Sequence, residues 1–159
     1  MKRLVATLAA LLVFVPLAAL AIPQVNKPAP EFKLKNTDGK EIALSGLKGK
    51  AVYVNFFATW CGPCNEEAPD IARLASKYKS KGLITYGIDE QETREKVLGF
   101  VKQYKLTYGV LLDDTSVGNS YGALGLPVHV FIDKKGIVKT FRIGEMNKSE
   151  IETAIRGAL

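Results

Sequence analysis

The chain has two cysteines, and both lie in Trp60-Cys61-Gly62-Pro63-Cys64. They follow the apolar run of residues 51–58 directly. Two thiols at this spacing can close a disulfide across the first turn of a helix. The strand pattern before them and the helical pattern after them supply that setting. With no other cysteine there is no framework of structural bridges to build, so the pair reads as a redox dithiol. Two other readings stand beside it. Half of a metal site would need more ligands, since Zn²⁺ wants four and the only histidine is His129; no metal and no cofactor is expected. An inert bridge closing so small a loop would stabilise the fold little.

The elements that must position the thiols can be read on either side. Residues 23–30 carry prolines and no hydrophobic period, and read as a linker over 22–30. Residues 31–34 and 41–44 alternate apolar and polar around Asp38-Gly39, a hairpin pattern. Residues 51–58 are apolar on both faces except at Asn55, as in a strand covered on both sides. The helix from about Cys61 buries Ala68, Ile71, Ala72, Ala75 and Tyr78, with Pro69 expected to kink it. A buried strand over 83–88 and an amphipathic helix over 93–105 follow, the latter with Val97, Phe100, Val101 and Tyr104 on one face. A short strand at 110–112, a helical piece at 117–121, and two strands at 128–133 and 136–143 come next. A last helix is capped by Asn147 with Glu150 three residues on. Strand alternating with helix predicts a partly parallel sheet, and the final hairpin adds antiparallel strands.

Length and composition bound the function. The 159 residues suit one domain once a targeting segment is set aside. Lys2 and Arg3, an apolar stretch over 4–15, Pro16 and Ala19-Leu20-Ala21 read as a signal peptide over 1–21, cut after Ala21. The alternative is an uncleaved anchor over 4–22, just long enough to span a bilayer, with membrane association through the N-terminus. Both readings put the domain over 31–159 outside the cytoplasm, where a cysteine pair meets oxidising conditions. The net charge of +6 is spread among acidic neighbours. No aromatic-interleaved basic stripe is present, which argues against nucleic-acid binding.

Ala58-Thr59-Trp60-Cys61-Gly62-Pro63-Cys64 resembles the active-site segment of the thioredoxin superfamily. Gly125-Leu126-Pro127, followed by Val128-His129-Val130-Phe131-Ile132-Asp133 and a Lys-Lys-Gly turn, resembles its cis-proline loop and following hairpin. The extra strand–helix unit between Cys64 and Pro127, the N-terminal hairpin, and Asn55-Phe56-Phe57-Ala58 are similar to the TlpA/ResA-like extracytoplasmic thiol–disulfide oxidoreductases. The resemblance runs from about Pro28 to Leu159. It implies an α/β, thioredoxin-like fold with an N-terminal β-hairpin and a strand–helix insert, a three-layer α/β/α sandwich on a mixed central sheet. The chain departs from thioredoxins proper at Asn55, where they carry a buried aspartate. Val128 stands where threonine is common after the cis-proline.

The chemistry follows from these positions. Cys61 at a helix N-terminus faces unpaired N–H groups and the macrodipole, which favour an anion and make it the attacking thiolate. Cys64, one turn further in and more buried, is the resolving thiol. Pro63 suits the first turn, where no N–H is needed. Gly62-Pro63 is also the dipeptide of thioredoxin, a reductant at about −270 mV, which points to a reductant here. Trp60, Gly62, Pro63, Leu126 and Pro127 are the expected substrate-binding residues. A cis Leu126–Pro127 bond would present the Leu126 backbone to an extended substrate and keep a third ligand from the thiols; an ordinary trans turn is the alternative. Trp60 is expected beside an exposed Cys61 thiol, as part of the docking surface.

Resolution needs a base for Cys64, and Asn55 cannot titrate. The insert offers Asp89, Glu90, Glu92 and Glu95. The resemblance places a functional glutamate here, aligned with Glu92 first and Glu90 second; a solvated loop acid is the competing reading. His129 is read as a satisfied sheet residue.

The resemblance also implies partners: client proteins with disulfides, such as the Cys-x-x-Cys-His segment of apocytochrome c, and a membrane thiol transporter as electron donor. Two other functions compete. A peroxiredoxin-like peroxidase would carry threonine three residues before its reactive cysteine, where Ala58 precedes Cys61. A Cu(I) metallochaperone would bind through both thiolates, but would want wider spacing and a placed histidine.

Overall fold

The computed structural model describes residues 22–159; the signal-peptide and anchor readings lie outside them. Among the described residues no helix is long and apolar enough to cross a membrane. Seven strands form one mixed sheet: β1 (Lys33–Asn36), β2 (Glu41–Ala43), β3 (Ala51–Phe57), β4 (Leu83–Glu90), β5 (Gly109–Asp113), β6 (Val128–Ile132) and β7 (Val138–Ile143). Their order is β2-β1-β5-β4-β3-β6-β7. The helices are α1 (Gly62–Lys79), α2 (Arg94–Gln103), α3 (Ser116–Ser120) and α4 (Lys148–Ala158). β3 and β4 run parallel from Ala51↔Leu83 to Phe57↔Asp89. β6 lies antiparallel on the other side of β3, with Val128 opposite Phe56.

The alternation of β3 divides the core. Val52, Val54 and Phe56 join Ile88, Val117, Tyr121, Val130 and Phe32 on one face. Ala51 and Tyr53 pack with Ile71, Leu74, Ile151 and Ile155 on the other, under α1 and α4. Phe57 continues that second face towards Val97 and Phe100 of α2. The layers are therefore unequal, three longer helices on one side against the five-residue α3 and a short 3-10 turn at Leu44–Leu47 on the other. The α4 cap is a full capping box between Asn147 and Glu150.

Most elements shift by a residue or two from the sequence reading, and three differences have a visible cause. The hairpin strands move from 31–34 and 41–44 to Lys33–Asn36 and Glu41–Ala43. Phe32 leaves the strand for the core, and the Asn36 side chain accepts from the N–H groups of Asp38 and Lys40, which prolongs β1 into the turn. The second strand of the final hairpin starts at Val138, because Asp133 binds the N–H groups of Lys135 and Ile137 and makes 133–137 a turn. The stretch read as a linker is bound to the domain: Asn26 N–H donates to the Val138 carbonyl and Ala29 N–H to that of Gly136. Pro69 lies inside α1, as the sequence reading placed it. The missing N–H costs one intrahelical bond, to Asn65.

Candidate active site

β3 ends at Phe57, and the next four residues turn the chain into α1. Cys61 is the N-cap of that helix, with φ −79° and ψ 111°. Its Sγ accepts from the Cys64 N–H at 3.3 Å, so sulfur fills the position a capping oxygen usually takes. Pro63 sits in the first turn, where its missing N–H is no loss. Cys61 and Cys64 are joined by a disulfide. They retain 5% and 3% of their surface. The expected exposed attacker beside a deeper resolver is thus corrected for the oxidised form. Folding the Cys61 side chain back onto the Cys64 N–H buries both sulfurs almost equally. Trp60, in contrast, is 72% exposed.

The Leu126–Pro127 peptide is cis. Because Val128 pairs with Phe56, Pro127 stands level with Phe57 at the base of the cysteine turn. Leu126 packs against the apolar group containing Cys61, Cys64, Ala58 and Ala68. With the exposed Trp60 next to Cys61, it gives the site apolar neighbours.

Two side-chain clasps hold the turn. Glu92 accepts from both the N–H and the Oγ1 of Thr59, the latter at 2.7 Å. Asn65 donates through Nδ2 to the carbonyls of Cys61, at 2.6 Å, and Thr59, at 3.1 Å. The Asn65 Oδ1 accepts from the Tyr104 hydroxyl at 2.7 Å. Both clasps originate in the insert, Glu92 just before α2 and Tyr104 just after it. The insert therefore steadies the cysteine turn.

The insert acids separate. Asp89 is fully buried, and burial pushes its carboxyl up to about 7. Its Oδ2 accepts from the Glu92 N–H at 3.1 Å. Glu90, next on the strand, points to the opposite face. Burial first, then the nearby Asp113 charge, pushes it up to about 7 as well. A Cβ on Gly118 would fall 2.1 Å from the Glu90 carboxyl oxygen and would push that side chain aside. Glu95 lies in the first turn of α2 and is solvated. The geometry brings Glu92 to the cysteine turn and turns Glu90 away.

Behind the thiols lies a buried polar group that the sequence reading saw only in part. His129 is fully buried, with Nδ1 2.9 Å from the Tyr53 hydroxyl and 3.4 Å from the Asn55 amide. On the other edge of the ring Nε2 lies 3.3 Å from the Glu67 carboxylate, and neither of these two facing atoms makes a hydrogen bond. Glu67 is itself buried and accepts from the Met146 N–H. His129 is thus a sheet residue held by neighbours. Glu67 and Asn65 were missed. The available signal was an acid three residues after Cys64 and four before Ile71, on the apolar stripe of α1. Among the described residues no cluster of His, Cys, Asp and Glu is arranged to hold a metal ion.

Comparison with known proteins gives consistent relatives. Residues 25–141 match the model of the AhpC/TSA family. The chain is 42% identical over 130 residues to the thiol-disulfide oxidoreductase ResA of Bacillus cereus, covering 81% of this chain and 75% of that one. Among solved structures it is similar to a thiol:disulfide interchange protein of the thioredoxin family from Chlorobium tepidum. That match has 31% identity and a TM-score of 0.75, over 85% of this chain and 97% of that one. It is also similar to a secreted Mycobacterium tuberculosis disulfide oxidoreductase described as homologous to Escherichia coli DsbE. Here the identity is 25% and the TM-score 0.72, over 79% and 94% of the two chains.

Proposed function

The chain belongs to the AhpC/TSA family, among the ResA-like thiol–disulfide oxidoreductases, and from there we propose that it reduces disulfides of client proteins outside the cytoplasm. One observation carries this reading. Cys61 caps α1 with its sulfur on the Cys64 N–H, so the same N–H and the helix dipole stand ready for a Cys61 thiolate. In the reduced enzyme the Cys61 thiolate attacks one sulfur of the client disulfide. A Cys61–client bond forms and the other client sulfur leaves as thiolate. Cys64 then loses its proton and attacks the Cys61 sulfur, releasing the second client thiolate. Two electrons have passed to the client, and the enzyme is left in the disulfide form described above.

The exposed Trp60, Gly62 and Pro63 and the half-buried Leu126, whose backbone the buried cis Pro127 fixes, support docking of an extended polypeptide. Glu92, tied to the turn two residues before Cys61, is the acid we assign to proton handling during resolution. The secreted relative and the basic, apolar start of the chain support export, with the N-terminus either cut or kept as an anchor. By analogy with the family, the client is a Cys-x-x-Cys-His segment of apocytochrome c and the donor a membrane thiol transporter.

The test is Cys64→Ser expressed in the native host. A client should stay disulfide-bonded to Cys61 and run as a mixed species without reductant. Absence of any such adduct rejects Cys61 as the nucleophile. Peroxide consumption by the purified protein at rates matching disulfide reduction would favour a peroxidase instead.

A further inference from the structure

Asp89 is a buried acid that the exchange reaction, as written, leaves unused. Its Oδ1 is shut from water and has no hydrogen-bond donor. An ionised carboxylate in that position, with one orphaned oxygen, is costly. Each element packed around it withholds a compensating charge. β3 presents Phe57, and β5 presents Leu112. The neighbouring Asp113 spends its oxygens on Ser116 and the N–H groups of Val117 and Gly118. From α2 come Val97 and Phe100, while Arg94 at its start donates through Nε to the Thr37 carbonyl and Glu95 and Lys96 face solvent. The active-site turn brings Cys61 and Cys64, and Glu90 faces the other side of the sheet. What does reach Asp89 is Glu92, by its backbone N–H and by its carboxyl group.

We propose that Asp89 and Glu92 share one proton, and that this proton keeps a second negative charge away from the turn that carries Cys61. The hydroxyl of a neutral Asp89 has the Glu92 carboxylate as its acceptor, which relieves the orphaned oxygen. Glu92 keeps its grip on the Thr59 N–H and hydroxyl. Asp89 is then a positioning residue: it touches no client and acts through Glu92, Thr59 and the turn. Burial pushes the Asp89 carboxyl up to about 7. When that proton leaves, the pair carries two charges, and the Cys61 thiolate is disfavoured. The two titrations are therefore coupled. The proposal rests on the reading of Cys61 as the attacking thiol.

The experiment is the pH dependence of iodoacetamide alkylation of the fully reduced protein, with the labelled cysteine identified by mass. Wild type should titrate in two steps, one of them near 7. Asp89→Asn offers Glu92 a permanent N–H donor and cannot ionise. It should titrate in one step, coinciding with wild type below about 7 and running about threefold faster between about 7 and the thiol midpoint, the rate equivalent of half a unit. If Asp89→Asn does not fold, Glu92→Gln removes one charge from the pair at every pH and should raise the alkylation rate across the whole profile, not only above about 7. A variant profile superimposable on wild type overturns the proposal. So does the same change in Glu90→Gln, whose carboxyl lies on the other face. Label found on Cys64 overturns the nucleophile assignment by itself and leaves the comparison of profiles as the test of the pair.

Discussion

Asn65→Ala removes the clasp that ties the cysteine turn to Tyr104, and its cost can be worked from the contacts. Three hydrogen bonds are lost: to the Cys61 carbonyl, to the Thr59 carbonyl and from the Tyr104 hydroxyl. The Cys61 carbonyl keeps the backbone N–H of residue 65 as a donor, and the other two groups lie at part-buried positions that water can reach. Three neutral bonds at about 1 kcal/mol each, less about 0.5 regained because alanine favours helix over asparagine, leave about 2.5 kcal/mol of destabilisation. Tyr104→Phe removes one of the three and should cost about 1 kcal/mol. The double variant should fall short of the sum by about 1 kcal/mol, because both changes delete the same bond. Urea unfolding of the oxidised protein measures all three. Client-disulfide reduction should slow about threefold or more in Asn65→Ala as the turn loosens, with Tyr104→Phe between it and wild type. An Asn65→Ala protein within about 0.5 kcal/mol of wild type, the range of an unremarkable surface change, refutes the clasp.

Glu92→Gln separates attack from resolution. Turnover of a disulfide client should fall by about tenfold or more if Glu92 handles the Cys64 proton, while alkylation of Cys61, which needs no base, is not slowed. Unchanged turnover removes Glu92 from the mechanism. Glu90→Gln tests the acid on the other face. Because the folded protein holds Glu90 above its ordinary 4.5, at about 7, the native state binds the proton more tightly than the unfolded chain. Its contribution is fully present below about 4.5 and is lost as pH rises through 7. At about 1.4 kcal/mol per unit, and halved for partial exposure, the variant should gain about 2 kcal/mol on wild type above pH 7 and nothing near pH 4. Equal urea midpoints for the two proteins at pH 8 would contradict the assignment.

The order of elements was legible because hydrophobic periodicity reports it directly. Residues 51–58 are apolar on both faces except at Asn55 and 83–88 read as a buried strand, and the sheet buries both faces of β3 and of β4 over 87–89. What periodicity does not report is where a strand yields to a side chain with other business. Phe32 continues an alternating pattern, yet it leaves β1 for the core, and Asn36 extends the strand by accepting two turn N–H groups. The bound segment before it was illegible for a related reason. Prolines mark residues 23–30 as non-helical, but pairing of Asn26 and Ala29 with 136–138 uses backbone groups, which every sequence has.

In the site, legibility follows whether a residue's role is carried by its own type or by its neighbours. The cysteines and Pro127 announce themselves: few other residue types can do what a dithiol or a cis X-Pro bond does. Asn55 was legible as the loss of a buried acid, and that loss directs attention to acids elsewhere. Which acid answers is not a matter of composition. Asp89, Glu90 and Glu92 sit within four residues, yet strand alternation sends Glu90 towards Gly118 and Asp89 under the turn, while the bend after β4 lets Glu92 reach Thr59. Glu67 was hidden by the opposite effect. An acid on an apolar helical stripe reads as an interruption until His129 and the Met146 N–H are placed against it. With Asn55 uncharged, the negative groups that bear on the thiols enter from α1 and from the insert. The insert acids are the ones joined by hydrogen bonds to the cysteine turn, so a change confined to Asp89 or Glu92 should move thiol reactivity further than any change at Glu90.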